Sequence, residues 1–225
     1  KKRNNLKNNK IYKDRWLHIG SGNFHRAHQA FYLNQLQKKN LTDWGIVNFE
    51  IQKTKKNSKF NENINKQDQL YTLITRDRNI KKRTIISSIN KFLLNNNKNL
   101  NLIKKIIQND ILKLITLTVT ENGYYIDNKK FNLKNKYIKH DIMNKNFKTI
   151  YGMLFFILEN CILYKKKITI ISCDNIENNS ESFRESFKIF CKKKKSKYKS
   201  YVDKHFIFCN SMVDRITPKY SLKTK

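Results

Sequence analysis

Glycine and proline are scarce in this chain, with five glycines and one proline in 225 residues. That excludes collagen-like and proline-rich low-complexity architectures, and Gly20, Gly22, Gly45, Gly123 and Gly152 stand out against the rest of the sequence. Cysteine is also sparse. Cys161, Cys173, Cys191 and Cys209 are widely spaced, without a C-x-x-C pair or a nearby histidine pair, which argues against a zinc site and a disulfide framework. Cys173 and Cys209 lie in apolar strand-like runs and read as free buried thiols in a reducing compartment. No apolar run approaches the length of a membrane span, and no leader segment is visible. The expectation is a cytoplasmic protein with no membrane partner and no metal. Acidic residues are few, 17 against 48 basic ones, for a formal net charge of +31. Such a charge ordinarily points to nucleic acid. Only eight of the basic residues are arginine, however, and lysine, asparagine and isoleucine are abundant almost everywhere. This is a uniform compositional drift rather than a local patch, whereas nucleic-acid readers favour arginine and aromatic platforms. The densest run, Lys192 to Lys195, sits at the end of a helix-like segment, where cations suit the dipole. No specific nucleic-acid partner is expected, only weak sticking to polyanions.

What the chain does have is alternation. Hydrophobic residues make up 39%, enough for the core of one domain of this length. Strand-like runs rich in Ile, Val, Leu, Thr or Phe fall at 16–20, 45–51, 70–75, 84–89, 113–119, 167–173 and 205–209. Helix-like segments lie at 24–38, 98–109, 149–164 and 181–195, while 52–68 and 127–148 read as polar connections. The pattern predicts parallel strands with crossover helices, a doubly wound α/β sheet.

The stretch Trp16 to Leu33, WLHIGSGNFHRAHQAFYL, carries the most information. A short apolar run ends in Gly20-Ser21-Gly22, and an amphipathic segment follows at once. Strand, glycine turn and helix is the arrangement that grips a dinucleotide pyrophosphate: Gly20 for the tight turn, Gly22 for close backbone approach, and the helix start for negative charge. The third glycine of the usual fingerprint is replaced by His25, and a plain strand-to-helix turn fits these three residues equally well.

Further blocks follow. Asn23-Phe24-His25-Arg26-Ala27-His28-Gln29-Ala30, Gln67-Asp68-Gln69-Leu70-Tyr71-Thr72-Leu73, Thr118-Val119-Thr120-Glu121-Asn122-Gly123-Tyr124, Ser172-Cys173-Asp174-Asn175 and Asn210-Ser211-Met212-Val213-Asp214-Arg215-Ile216-Thr217-Pro218 occur in that order. Together they resemble the motifs of the mannitol dehydrogenase family of long-chain polyol dehydrogenases. The resemblance implies a Rossmann-like, mostly parallel cofactor domain, with NAD as the cofactor and NADP as the alternative. It implies that Gly20, Ser21, Gly22, Asn23 and Phe24 hold the pyrophosphate and neighbouring ribose, and that Thr120 and Glu121 line the nicotinamide side. Asn175 would be an amide donor to the developing alkoxide, Val213 would contact the cofactor, and Asp214 would orient catalytic groups. Glu50, at the end of the second strand-like run, is the acid placed by spacing for the adenosine ribose. Family members using NAD carry an acidic pair slightly further on, about where Thr54 and Lys55 stand here, a change that would weaken selectivity against NADP.

Other readings of these residues stay open. Asp174 and Asn175 are ordinary candidates for helix caps, Arg215 for a simple ion pair, and His25 and His28 for local packing as much as for acid–base work. The domain reading is a flexible basic arm over 1–14, a dinucleotide-binding domain over 15–218, and the start of a further domain over 219–225. That further domain is helical in the family and supplies a general-base lysine and most polyol contacts; it is expected to be absent here or separately encoded. Three functions follow: the cofactor half of a polyol or keto-sugar oxidoreductase, a relict dinucleotide-binding module without turnover, or a basic nucleic-acid-binding protein. The substrate would be a mannitol/fructose-type pair or a hexuronate.

Overall fold

The computed structural model describes residues 12–77, 80–119, 121–127, 130–213 and 217. The chain enters through β1 (Lys13–Ile19), turns at Gly20, and continues into a short α1 (Asn23–Ala27) and α2 (Gln29–Lys38). Next come β2 (Trp44–Glu50), α3 (Lys55–Asn65), and an antiparallel hairpin of β3 (Tyr71–Asp77) and β4 (Ile80–Ile86). β5 (Ile89–Leu94) and α4 (Asn97–Gln108) lead across to β6 (Leu114–Leu117). A 3-10 turn (Glu121–Tyr124) and a small ladder of β7 (Ile126–Asp127) with β8 (Lys130–Phe131) precede α5 (Lys136–Met143) and α6 (Ile150–Leu163). β9 (Ile168–Ser172), α7 (Asn179–Lys194), α8 (Lys199–His205) and β10 (Phe206–Cys209) complete the order.

Six strands form one sheet in the order β10-β9-β6-β1-β2-β5, and every neighbouring pair is parallel. All six carboxyl ends therefore lie along one edge. The order reverses between β1 and β6, which opens a crevice there. Side chains alternate between the two faces. Leu17, Ile19, Val47, Phe49, Ile115 and Leu117 join the core built with α4, α6 and α7. Ile46, Ile89 and Phe92 join a second core with Ala30 and Leu33 of α2, Ile64 of α3 and Ile86 of the hairpin. α6 is apolar around most of its circumference, and ten of its 14 residues are buried, as expected of a helix inside a core. No helix among the described residues is long and apolar enough to cross a membrane.

The scarcity of glycine shows at the helix ends. α2, α4 and α6 each close with a left-handed residue, Asn40 (φ 56°), Asp110 (φ 55°) and Lys165 (φ 53°). In each case the next N–H reaches back five residues: Leu41 to Leu36 O, Ile111 to Ile106 O, and Lys166 to Cys161 O. This is the Schellman closure usually given to glycine. Asn and Asp tolerate that conformation; Lys165 adopts it under strain.

The structure corrects several sequence expectations. The run at 70–75 is a strand, but it pairs only with β4 and stands outside the parallel sheet. The run at 84–89 spans the end of one strand and the start of another. Ser87 and Ser88 break it, because Ser87 donates its N–H to Asn34 Oδ1 and Ser88 its hydroxyl to Ala30 O. The third parallel strand is β5, whose mixed sequence INKFLL hides it. The connection 52–68 contains α3, started by Thr54 accepting from the Asn57 N–H, and 127–148 contains α5. The helix expected over 24–38 breaks at His28 (φ −114°, ψ −88°). Of the arm expected over 1–14, residues 1–11 lie outside the described residues, while Lys13 opens β1 and Asp14, in the same strand, pairs with Lys91 at 2.5 Å. Lys194, in the basic run, is not simply solvated; its ammonium donates to the carbonyls of Asp141, Ile142 and Asn144 at the end of α5.

Candidate functional site

The expected site residues that the structure describes gather at the carboxyl edge, around the crevice. Gly20 has φ +114°, and a Cβ there would lie 2.9 Å from both the carbonyl oxygen and Oγ1 of Thr118. Glycine is thus required twice, by conformation and by the approach of β6. The Gly20 N–H donates to Phe49 O at 3.0 Å, and its carbonyl accepts from Asn48 Nδ2 at 2.9 Å. Asn48 Oδ1 accepts the Ser21 hydroxyl at 2.6 Å. The Ser21 N–H donates to Glu50 Oε2 at 3.2 Å, and Glu50 Oε1 accepts the Gln52 N–H at 3.2 Å. Arg26 donates to the Ser21 carbonyl and the Asn23 side-chain oxygen, while its guanidinium lies 4.6 Å over the Phe60 ring of α3. The turn is braced from β2, β6 and α1. Gly22, in contrast, has nothing within 4 Å of a built Cβ, and no side chain caps the start of α1. That leaves an open cradle of backbone over a rigid turn.

Beneath the turn lies a buried polar ladder. His18 sits with Nδ1 2.6 Å from Thr116 Oγ1 and Nε2 3.0 Å from Thr118 Oγ1, and Trp16 donates to the same Thr116 hydroxyl at 2.7 Å. His25, in the third-glycine position, stacks flat on His18 with ring centroids 3.4 Å apart and planes 5° from parallel. A flat ring in face contact lets the helix pack on β1 where a glycine otherwise would. Burial holds His18 well below the ordinary histidine range, and takes His25 down to about 3. Both rings are neutral at neutral pH. His25 is fully buried, with its ring packed on His18. His28 lies 4.9 Å from Phe24 and 5.3 Å from Tyr32, ring to ring.

Across the crevice, the loops after β6, β9 and β10 are laced together. Asp174 Oδ2 accepts the Val119 N–H at 3.1 Å and the Tyr124 hydroxyl at 2.9 Å; the Ser172 hydroxyl lies 3.4 Å away and also bonds the Tyr124 hydroxyl. Burial raises the Asp174 carboxyl to about 6 against the hydrogen bonds that lower it, and burial keeps the Tyr124 phenol protonated. Asn179, fully buried, donates to the carbonyls of Asp174 (2.9 Å) and Ser211 (2.8 Å). It accepts the Ser211 N–H at 3.2 Å. Asn210 Oδ1 accepts the N–H groups of Ser180 and Glu181 at 3.0 and 3.1 Å, satisfying the first turn of α7. The cap reading of Asp174 is thereby corrected, since Asn210 does that work and Asp174 binds a different loop. Asn175 is exposed beside it, and Val213 is half-buried. Glu121 opens the 3-10 turn, while Thr120, Asp214 and Arg215 lie outside the described residues. Cys161, Cys173 and Cys191 are buried, whereas Cys209, expected to be buried, is half-buried; burial pushes Cys161 up to about 12. No cluster of metal-ligating side chains occurs among the described residues.

Asn48 and Asn179 went unnoticed in the sequence. Asn48 carries a faint signal, a polar residue on the strand face opposite Val47 and Phe49. Asn179 carries none beyond its place near a helix start, because one of its partners, Ser211, is 32 residues away.

Six parallel strands ordered around a glycine turn, with helices on both faces, define a Rossmann-type α/β fold. Residues 14–225 match the family model of the mannitol dehydrogenase Rossmann domain. Mannitol 2-dehydrogenase of Aspergillus clavatus is 33% identical over 224 residues, spanning 96% of this chain and 44% of the relative. Among solved structures, D-sorbitol dehydrogenase in its substrate-free form superposes with a TM-score of 0.86 at 28% identity, over 95% of this chain and 45% of that one. The ternary complex of Pseudomonas fluorescens mannitol 2-dehydrogenase with NAD and D-mannitol gives 0.83 at 30%, over 94% and 44%. The chain belongs to the mannitol dehydrogenase family, and it spans less than half the length of these relatives.

Proposed function

We propose that this chain is the cofactor-binding half of a nicotinamide-dependent oxidoreductase acting on a polyol and its keto-sugar, of the mannitol/fructose or hexuronate type. The observation that carries the reading is the braced turn at the switch point, rigid at Gly20 and open at Gly22, where dinucleotide pyrophosphates sit in this fold. Gly20, Ser21, Gly22, Asn23 and Phe24 would hold the pyrophosphate and the adjoining ribose. Glu50 keeps lone pairs for the adenosine ribose while bonded to Ser21 and Gln52. Glu50 makes NAD the expected cofactor; the chain then reads Ile51-Gln52-Lys53-Thr54-Lys55, without a second acid, so selectivity against the 2′-phosphate of NADP is weakened. Bound NAD(P) supplies the hydride chemistry. Thr120, Glu121 and Val213 would line its nicotinamide side, Asn175 would donate to the developing alkoxide, and Asp214 would orient the reacting groups. The base and the remaining polyol contacts belong to the portion of the family architecture that this chain does not span, in cis or as a separate partner.

Titrating the purified chain with NADH and NADPH in moderate salt, following nicotinamide fluorescence, tests this. Saturable binding that disappears in Gly22→Asp is expected. The aspartate side chain has room to fit, so the fold survives, but its charge opposes the pyrophosphate. No binding at millimolar cofactor would move the chain to a relict or polyanion-binding role.

A further inference from the structure

The SCDN block contributes one more group besides its asparagine. We propose that Asp174 is a positioning residue that assembles the nicotinamide side of the cleft, joining the loops after β6, β9 and β10 into one wall; this rests on the dinucleotide reading above. Its carboxylate reaches the β6 loop at both ends, accepting the Val119 N–H at 3.1 Å just before Thr120 and Glu121, and the Tyr124 hydroxyl at 2.9 Å just after them. Its carbonyl accepts Asn179 Nδ2, and that amide also holds Ser211 of the β10 loop, two residues before Val213. By chain connectivity it sets the start of Asn175. Asp174, with Asn179 bridging to the β10 loop, thus ties together the turns that carry four of the expected nicotinamide-side groups.

The alternative, a local cap, does not fit. Val119 is 55 positions away in sequence, and the first turn of α7 is satisfied by Asn210. Removing the acceptor would strand the Val119 N–H and leave the phenol of Tyr124, only 2% exposed, with the Ser172 hydroxyl as its remaining side-chain partner. A donor left unmet is costly, so the turn between them would move. The adenosine side is built separately, from Asn48, Glu50, Arg26 and the Gly20 turn, and shares no hydrogen bond with Asp174 among those described. The two ends of a dinucleotide therefore report on different machinery.

The experiment compares NADH with ADP-ribose, which lacks the nicotinamide, on the full chain by fluorescence and calorimetric titration. In Asp174→Ala, NADH affinity is expected to fall about tenfold or more, the scale of losing hydrogen bonds to a charged acceptor, with ADP-ribose affinity unchanged. Asp174→Asn, which keeps an acceptor oxygen, should recover most of the loss. If Asp174→Ala does not fold, Tyr124→Phe, which keeps the core ring, carries the test with a smaller loss confined to NADH. Equal weakening of both ligands, or no weakening, overturns the proposal, as does a wild-type chain with no preference for NADH over ADP-ribose. A wild-type chain that binds neither removes the dinucleotide reading itself, and this proposal with it.

Discussion

Asp174 shows how one half-buried carboxyl links stability to pH. Its carboxyl is raised from 3.8 to about 6, with burial outweighing the hydrogen bonds that it accepts. A group raised on folding favours the native state below its unfolded value, and loses that contribution as pH rises through the folded one. The shift amounts to roughly 2–3 kcal/mol, lost between about pH 4 and pH 6. Asp43, Glu62, Asp110 and Asp203 are shifted the other way by hydrogen bonds from their lysine and arginine partners, so their contributions fade as pH falls. All four are retained in Asp174→Asn, and comparing the two proteins cancels them. Thermal melts from pH 4 to 6.5 should show the wild type losing ground steadily to the Asn variant. Parallel curves would mean that Asp174 titrates normally. Gly20 and Gly22 make the companion contrast at this scale, identical residues of which the first is demanded by sterics and the second leaves space for a ligand.

At the scale of elements, the shortage of glycine displaces other residues into backbone positions that glycine normally takes. Asn40 and Asp110 fill two of the Schellman closures comfortably, while Lys165 fills the third at a conformational cost. Lys165 is exposed, so replacing it removes little packing. Lys165→Gly is expected to stabilise the protein by about 0.5–1 kcal/mol, the left-handed strain relieved less the entropy added to the unfolded chain. Urea melts would detect that as a higher midpoint at unchanged slope. A lower midpoint would show that the α6 end is not strained. Elements also explain which expectations failed. α3 buries Ile64 as its one fully covered residue, too little periodicity to read, and β5 follows β4 with only Ser87 and Ser88 between. Hydrophobic patterning finds buried segments, but not the turn between two of them.

For the whole molecule, the dominant fact outside the core is charge. With +31 spread over the chain, self-repulsion opposes the compact state. The surface ion pairs, such as Arg184 with Asp203 at 2.8 Å and Lys195 with Glu159 at 2.7 Å, are exposed enough to return little. Raising NaCl from about 20 mM to about 0.3 M shortens the screening length from roughly 20 Å to 6 Å. The melting temperature should therefore rise over that range. A fall would mean that the ion pairs outweigh the repulsion. The same screening governs any contact with polyanions, and cofactor titrations belong at moderate salt for that reason.

The sequence by itself determined the parallel α/β architecture, the glycine turn at 20–22 and the blocks that line the edge. These are local properties: strand and helix periodicities, a turn that only glycine permits, short words in a fixed order. Tertiary structure alone decided which strands share the sheet, that His25 replaces a glycine by stacking on His18, and that Asn48, Asp174 and Asn179 hold the site together. Those roles depend on partners dozens of residues away, brought within hydrogen-bond reach only because six parallel strands end along one edge. No spacing along the chain encodes such a distance.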